Sequence, residues 1–367
     1  MANRSCKRAV LVGPNRPIEI WDRPVPSPGA GEVLARVEMS GVCGTDVHFW
    51  RGEVAMPGPV VLGHEGIAVV EEVGPGAAAD YAGVPIARGD RIYWQPMRAC
   101  HRCYACTILR DFSMCESGFA PIMRNAAEPT AASYSEYSLI PEGMAFFRVP
   151  DDTPSAAVIA FGCAMPTILQ GVDRIGGIAV GSDVVIQGCG PVGLAGVMVA
   201  SLGGARRVIV TGAPAKRLAM AKRLGATHTI DMDEVKSADD RIARVLDITD
   251  GRRADVVLEA AGAIPAFPEG LQMVAKGGCY LTIGLWSAPG TVPVEPRFIN
   301  NNNLRIFGSA LSQPGHLHAA LQVARKYHRE YAMADVITHR FSLDASQSAL
   351  EAVARLETVK AVITPGA

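Results

Sequence analysis

The chain has 367 residues, 49% of them hydrophobic, with 35 lysines and arginines against 36 aspartates and glutamates and a formal net charge of −1. That length predicts roughly two domains, each large enough to bury a core without disulfide staples. The balanced charge gives no footing for nucleic acid or an anionic membrane surface as partner. The apolar stretch 9–13 is too short for a signal-peptide core, and no run approaches the ~20 apolar residues of a membrane span. A cytoplasmic location is expected. The nine cysteines are then reduced thiols or metal ligands rather than a disulfide framework.

Up to Phe161 the chain is rich in β-branched residues, glycine and proline. Residues 32–37 and 67–73 read as short strands. Pro24, Pro26, Pro28 and Gly29 mark a loop, and 74–89 reads as another. The chemistry-bearing residues of this stretch come in three groups. Cys43-Gly44-Thr45-Asp46-Val47-His48 is followed by Gly63-His64-Glu65-Gly66, and Phe161-Gly162-Cys163-Ala164 comes last. Between them stands Cys100-x2-Cys103-x2-Cys106, then Cys115.

Cys43, His64 and Cys163 offer two thiolates and an imidazole, which with one exchangeable water make a catalytic tetrahedral zinc site. Taken singly, each is better read as packing. Cys6, Cys189 and Cys279 are left as small buried hydrophobes, and His101, His228, His316, His318, His328 and His339 as structural or exposed. The four thiols Cys100, Cys103, Cys106 and Cys115 close a tetrahedron with no room for water, so a zinc there is structural. The basic excess of a nucleic-acid zinc ribbon is missing around them.

Past Asp183 the texture changes. Val184-Val185-Ile186-Gln187 leads into Gly188-Cys189-Gly190-Pro191-Val192-Gly193, followed by an apolar helical stretch to Leu202. This is the Gly-x-Gly-x-x-Gly turn between strand and helix that admits a dinucleotide pyrophosphate at the helix N-terminus. Further strands are expected at 208–210, 256–258 and 280–283, with a helix at 215–224. Strands alternating with helices predict a parallel βαβ sheet. Helices are also expected at 315–327 and 346–356, and Asn300 to Asn303 as a polar turn. Gly212 ends the second strand, where a carboxylate for the adenosine ribose belongs. Its loss suits NADP, yet no arginine follows directly, and Lys216 and Arg217 come later. Both cofactors stay open. NAD is preferred, because a missing acid is easier to tolerate than a missing phosphate clamp.

The sequence of motifs, Cys-Gly-Thr-Asp-x-His, Gly-His-Glu-Gly, a late cysteine, then Gly-x-Gly-x-x-Gly, resembles the zinc-dependent alcohol dehydrogenases of the medium-chain dehydrogenase/reductase family. The likeness runs over essentially the whole chain, down to Val359-Lys360-Ala361-Val362, which resembles their closing strand. One departure is the eight residues between Cys106 and Cys115, where seven is commoner. The resemblance implies an α/β fold with a GroES-like β-rich catalytic domain over 1–164 and 309–367. It places a structural zinc lobe near 96–118 and a doubly wound Rossmann domain over 165–308.

The resemblance also assigns roles. Zinc would bind the alcohol oxygen as a Lewis acid, an effect that brings the pKa of bound water from about 15.7 to about 7. Thr45 would take the substrate proton, and the cofactor ribose would pass it to His48, whose imidazole suits the last carrier. Asp46 would orient His64, and Glu65 is similar to a carboxylate that helps exchange ligands. Thr167, Ile283 and Gly284 would meet the nicotinamide. Phe49, Trp50, Trp94 and Trp286 are the expected pocket walls. They suit a hydrophobic secondary or cyclic alcohol, terpenoid-like, and the corresponding ketone. Cys163 argues against a polyol, since polyol relatives more often carry glutamate there. Family members are homodimers or homotetramers paired through the sheet edge, here near 283–306. Two other readings stand behind this one. The first is an enzyme that keeps its cofactor and dismutates or isomerises its substrate. The second is a non-enzymatic relative, disfavoured by the complete ligand set.

Overall fold

The computed structural model describes residues 4–286 and 290–366. The chain divides into two units, Met1–Cys163 with Ser312–Ala367 and Ala164–Leu311 between them. The joints expected after residues 164 and 308 lie one residue past and three residues before the observed ones.

The first unit begins with β1 (Ser5–Leu11), β2 (Ile18–Pro24), β3 (Val33–Val42), α1 (Gly44–Arg51), β4 (Val60–Val61), β5 (Gly66–Val73), β6 (Arg91–Trp94), β7 (Tyr137–Ile140), β8 (Phe146–Arg148) and α2 (Ser155–Ile159). The second unit holds α3 (Ala164–Arg174), β9 (Asp183–Gln187), α4 (Pro191–Leu202), β10 (Arg207–Gly212), α5 (Ala215–Arg223), β11 (His228–Asp231) and α6 (Ala238–Ile248). It continues with β12 (Ala254–Glu259), α7 (Ala266–Met273), β13 (Val274–Thr282), α8 (Pro296–Asn301) and β14 (Arg305–Gly308). The chain then returns to the first unit with α9 (Pro314–Tyr327), β15 (Ile337–Ser342), α10 (Ser346–Ala354) and β16 (Lys360–Thr364).

β3 is the hub of the first unit. Its sequence VLARVEMSGV is apolar except at Arg36, Glu38 and Ser40, and only Arg36 is exposed. It pairs antiparallel with β5 along most of its length, with β7 over its first half and with β16 over its last residues. The sheet runs β15-β16-β3-β5-β6-β8. A smaller sheet, β2-β1-β4, shares the core, where Val10, Val37, Val61, Ala68, Ile92 and Ile363 are buried together.

The second unit is a six-stranded sheet in the order β11-β10-β9-β12-β13-β14, parallel throughout. The chain starts in the middle, winds outward through β11, then reverses to β12. That is the doubly wound Rossmann order, with its switch point between β9 and β12. β9 is buried at all five positions, as a strand covered on both faces must be. Val185, Ile209, Val257 and Tyr280 pack at the core of this unit. Asn300 and Asn301 close α8, and Asn302 and Asn303 form the turn that follows it, Asn303 in the left-handed conformation that asparagine tolerates. No helix among the described residues is long and apolar enough to cross a membrane.

Candidate active site

The candidate catalytic cluster is assembled by three chain turns of the first unit. β3 delivers Cys43 to the N-cap of α1, where its backbone N–H donates to Asp46 Oδ2 at 3.0 Å. His64 and Glu65 lie just ahead of β5, and Cys163 follows α2. Ligand atoms of Cys43, His64, Glu65 and Cys163 lie within 4.8 Å of one another. The Sγ atoms of Cys43 and Cys163 are 3.6 Å apart. Tetrahedral Zn–S bonds of about 2.3 Å require sulfurs about 3.8 Å apart, so the pair fits zinc. His64 Nδ1 stands 3.3 Å from Asp46 Oδ1. That contact assigns the proton to Nδ1 and leaves Nε2 for a metal.

The three groups differ in their electrostatics. The hydrogen bond with Cys163 works against burial and, with His64, holds the Cys43 thiol well below its ordinary range. The same hydrogen bond and burial push Cys163 up. Burial works against a charged His64, but Asp46 and Cys43 more than offset it.

Glu65 does not hang free beside the sulfurs. Its Oε1 accepts the Cys163 backbone N–H at 2.9 Å, and its Oε2 pairs with the Lys360 ammonium. Both charges are 1% exposed, so neither could stay ionised alone. Lys360 was missed from sequence. The available signal was a lysine inside an otherwise apolar strand, which needs a buried acid.

On α1, Thr45 Oγ1 lies 3.6 Å from Cys43 Sγ. His48, three residues on and so on the same helix face, is hydrogen-bonded through Nδ1 to Glu53, a partner the motif did not announce.

In the lobe, Cys100, Cys103, Cys106 and Cys115 also gather within 4.8 Å. Cys115 Sγ accepts the Cys100 N–H at 3.3 Å and Cys100 Sγ the Cys103 N–H at 3.4 Å. Backbone N–H groups of Arg102 and Cys103 pull the Cys100 thiol down to about 6, whereas burial pushes Cys106 up to about 12. Backbone donors facing sulfur fit a thiolate cage for a dication. The long spacing has a visible counterpart: Ala105–Leu109 forms a π turn, which takes up one more residue per turn than an α-helix.

In the second unit, Gly188 adopts φ +101°, and a Cβ there would stand 2.8 Å from the Ala260 backbone. A Cβ on Gly193 would stand 2.0 Å from Gly188 O. Gly190 caps α4, and the nearest atom to a Cβ placed there is Arg217 Nη1 at 4.0 Å. Pro191 occupies the first helical turn and Val192 follows it. The sheet-end carboxylate sits elsewhere. Glu259, fully buried, accepts N–H groups of Ala261 (2.9 Å), Gly262 (2.7 Å) and Gly284 (3.0 Å), tying together the loops after β12 and β13. Burial raises its pKa. Ile283 is buried and Thr167 half-buried on α3.

One expected pocket wall is corrected. Trp94 is 0% exposed, its indole N–H donates to Ala131 O at 3.0 Å, and its ring fills the space a side chain at Gly66 would need. It is core, because the pleat of β6 turns it inward. Phe49 and Trp50 are half-buried against the core on α1, with the Trp50 N–H donating to Arg16 O at 3.1 Å. The Trp286 side chain lies outside the described residues.

Comparison with known proteins agrees with this geometry. Residues 29–151 match the alcohol dehydrogenase GroES-like domain family, and residues 191–326 match the zinc-binding dehydrogenase family. The chain is 44% identical to 5-exo-hydroxycamphor dehydrogenase of Pseudomonas putida over 97% of this chain and 98% of that one. It is 30% identical to L-threonine 3-dehydrogenase of Sinorhizobium fredii over 90% of each. Among solved structures, an alcohol dehydrogenase of Thermotoga maritima superposes with TM-score 0.90 at 29% identity, over 99% of this chain and 100% of that one. A zinc-binding dehydrogenase of Sinorhizobium meliloti bound to NADP gives 0.84 at 29%, with the same coverage. With both thiolate clusters and the dinucleotide turn in place, the chain belongs to the zinc-dependent alcohol dehydrogenases of the medium-chain dehydrogenase/reductase family.

Proposed function

We propose that this enzyme oxidises a bulky, uncharged cyclic secondary alcohol, of terpenoid type, to its ketone. The observation that carries this reading is the 44% identity, nearly end to end, to a dehydrogenase of a hydroxylated bicyclic terpenoid. Phe49 and Trp50, half-buried on α1, are the apolar side chains this reading assigns to the pocket wall.

Cys43, His64 and Cys163 would hold the catalytic zinc, while Glu65 is engaged by Lys360 and the Cys163 N–H. When bound, zinc supplies a Lewis acid for the alcohol oxygen and the nicotinamide a carbon that takes up hydride. The Thr45 hydroxyl would relay the substrate's hydroxyl proton, taking it as its own passes on toward the ribose side of the cofactor site, and His48, hydrogen-bonded to Glu53, would release it outward. Cys100, Cys103, Cys106 and Cys115 would hold the second zinc, in a structural role. Gly188, Gly190, Pro191, Val192 and Gly193 seat the pyrophosphate, Gly212 and Arg217 face the adenosine, and Thr167, Ile283 and Gly284 the nicotinamide. The preferred cofactor is NAD, since no arginine directly follows Gly212. The enzyme works in the cytoplasm as a homodimer or homotetramer paired through the sheet edge near 283–306, a stretch that runs into the largely exposed edge strand β14.

The test is initial-rate formation of reduced nicotinamide with bicyclic terpenoid, linear aliphatic and polyol alcohols and L-threonine, each with NAD and NADP, with and without a zinc chelator. A chelator-sensitive preference of at least about tenfold for the bicyclic alcohol is expected. Equal or faster turnover of a polyol or of L-threonine would overturn the substrate class.

A further inference from the structure

Behind the metal ligands stands a tyrosine that the catalytic motifs do not include. Tyr134 is completely excluded from solvent, and its hydroxyl donates to Asp46 Oδ2 at 3.1 Å. Asp46, 1% exposed, has three further partners. Oδ2 also takes the Cys43 backbone N–H at 3.0 Å, Oδ1 takes the Gly63 N–H at 3.3 Å, and His64 Nδ1 stands 3.3 Å from Oδ1 as an ion-pair contact. Each carboxylate oxygen therefore faces two partners, and two of the four belong to residues assigned as metal ligands.

Tyr134 is itself fixed by the segment that carries His64. Its N–H donates to Leu62 O at 3.0 Å, Ser133 N–H donates to Gly63 O at 3.0 Å, and Ala9 N–H donates to Tyr134 O at 2.9 Å. The ring rests on Gly63, where a Cβ would stand 2.3 Å from Cδ1. A phenylalanine would fill this volume equally well, so packing explains the ring and only Asp46 explains the hydroxyl. Burying a carboxylate demands donors for all its lone pairs. With one donor gone, Oδ2 keeps only the Cys43 N–H, Asp46 is held less firmly against rotation about Cβ–Cγ, and the orientation of His64 and of the Cys43 turn loosens with it.

We propose that Tyr134 is a positioning residue for the catalytic metal, its hydroxyl locking Asp46 so that Asp46 fixes the His64 tautomer and the Cys43 turn together. This rests on the assignment of Cys43, His64 and Cys163 as catalytic zinc ligands.

Tyr134→Phe in the full-length, zinc-loaded protein tests it, with Ser133→Ala as a matched loss of a neighbouring buried hydroxyl, one that bonds Ser40 instead. Release of each zinc to excess chelator is followed, and the catalytic-site cobalt(II) derivative is compared by visible absorption. Expected for Tyr134→Phe is release of one zinc about tenfold faster, the other at the wild-type rate, and a shifted cobalt band. Ser133→Ala is expected to change neither. Unaltered release and an unaltered band in Tyr134→Phe would overturn the proposal. So would equal acceleration of both zincs with a lowered melting temperature, which would make Tyr134 a packing residue. Failure of the parent assignment looks different: the wild-type protein would then hold only the lobe zinc.

Discussion

At the scale of single residues, Gly212 shows why an expected group is absent. A Cβ there would lie 2.5 Å from Cys189 Sγ and 3.1 Å from its Cβ, so the thiol of the glycine-rich turn occupies the place of the ribose-binding carboxylate. Cys189 Sγ points instead to Ala213 O at 3.3 Å. Gly212→Asp alone is therefore expected to lower stability by about 1–3 kcal/mol through overcrowding. Paired with Cys189→Ala it recovers much of that loss and strengthens discrimination against NADP. Denaturant titration and cofactor competition check the two halves, and a Gly212→Asp protein as stable as wild type would refute the steric account. Residues of this kind divide sharply in how legible they are. Cys43, His64 and Cys163 could be read from sequence because thiolates and an imidazole at those places have few other uses as a set. Lys360 and Tyr134 could not, since each acts through a partner far along the chain, and Glu53 and Glu259 could not, since a lone acid in a loop or at a strand end carries no sign of the groups it will bond. Trp94 misled because an aromatic beside a metal motif does not reveal which side of the pleat it occupies.

At the scale of elements, the four-thiol lobe is held by little besides its own sulfurs and backbone. Tyr104, Ile108, Leu109 and Met114 are all exposed, so the segment gains little from burial. The metal must supply what the core does not. Cys103→Ser is expected to release one zinc per chain and lower the melting temperature by several degrees. An unchanged melting temperature with full zinc content would remove the structural role. Helices of this protein were legible almost to the residue where their apolar period was strong, as in α9 and α5. β11 and β15 were not anticipated. They read His-Thr-Ile-Asp and Ile-Thr-His-Arg-Phe-Ser and are only partly buried, so edge strands of this kind carry no apolar run to be recognised by. The seven-stranded sheet was equally hidden, because antiparallel pairings across long intervals leave no local trace.

At the scale of the whole molecule, metal ligands and dinucleotide turn belong to different units. Cys43→Ser is accordingly expected to reduce turnover to background while nicotinamide binding, followed by fluorescence quenching, persists near its wild-type strength. Retained turnover would remove the zinc assignment, and joint loss of binding would show that the cofactor needs the first unit intact. The division was legible from the change of texture near Asp183 and the return of mixed character late in the chain.

The seating of β16 between β15 and β3 bears on biosynthesis. Val42 pairs with Ala361, and Glu65 acquires Lys360 at the same moment. On a ribosome adding about 5–20 residues per second, that partner emerges on the order of tens of seconds after β3. The Rossmann unit, continuous in sequence, is by then free to fold. The first unit waits with an open strand edge and with Glu65 lacking its lysine, so the sheet beside the catalytic cluster closes only when the last strand arrives.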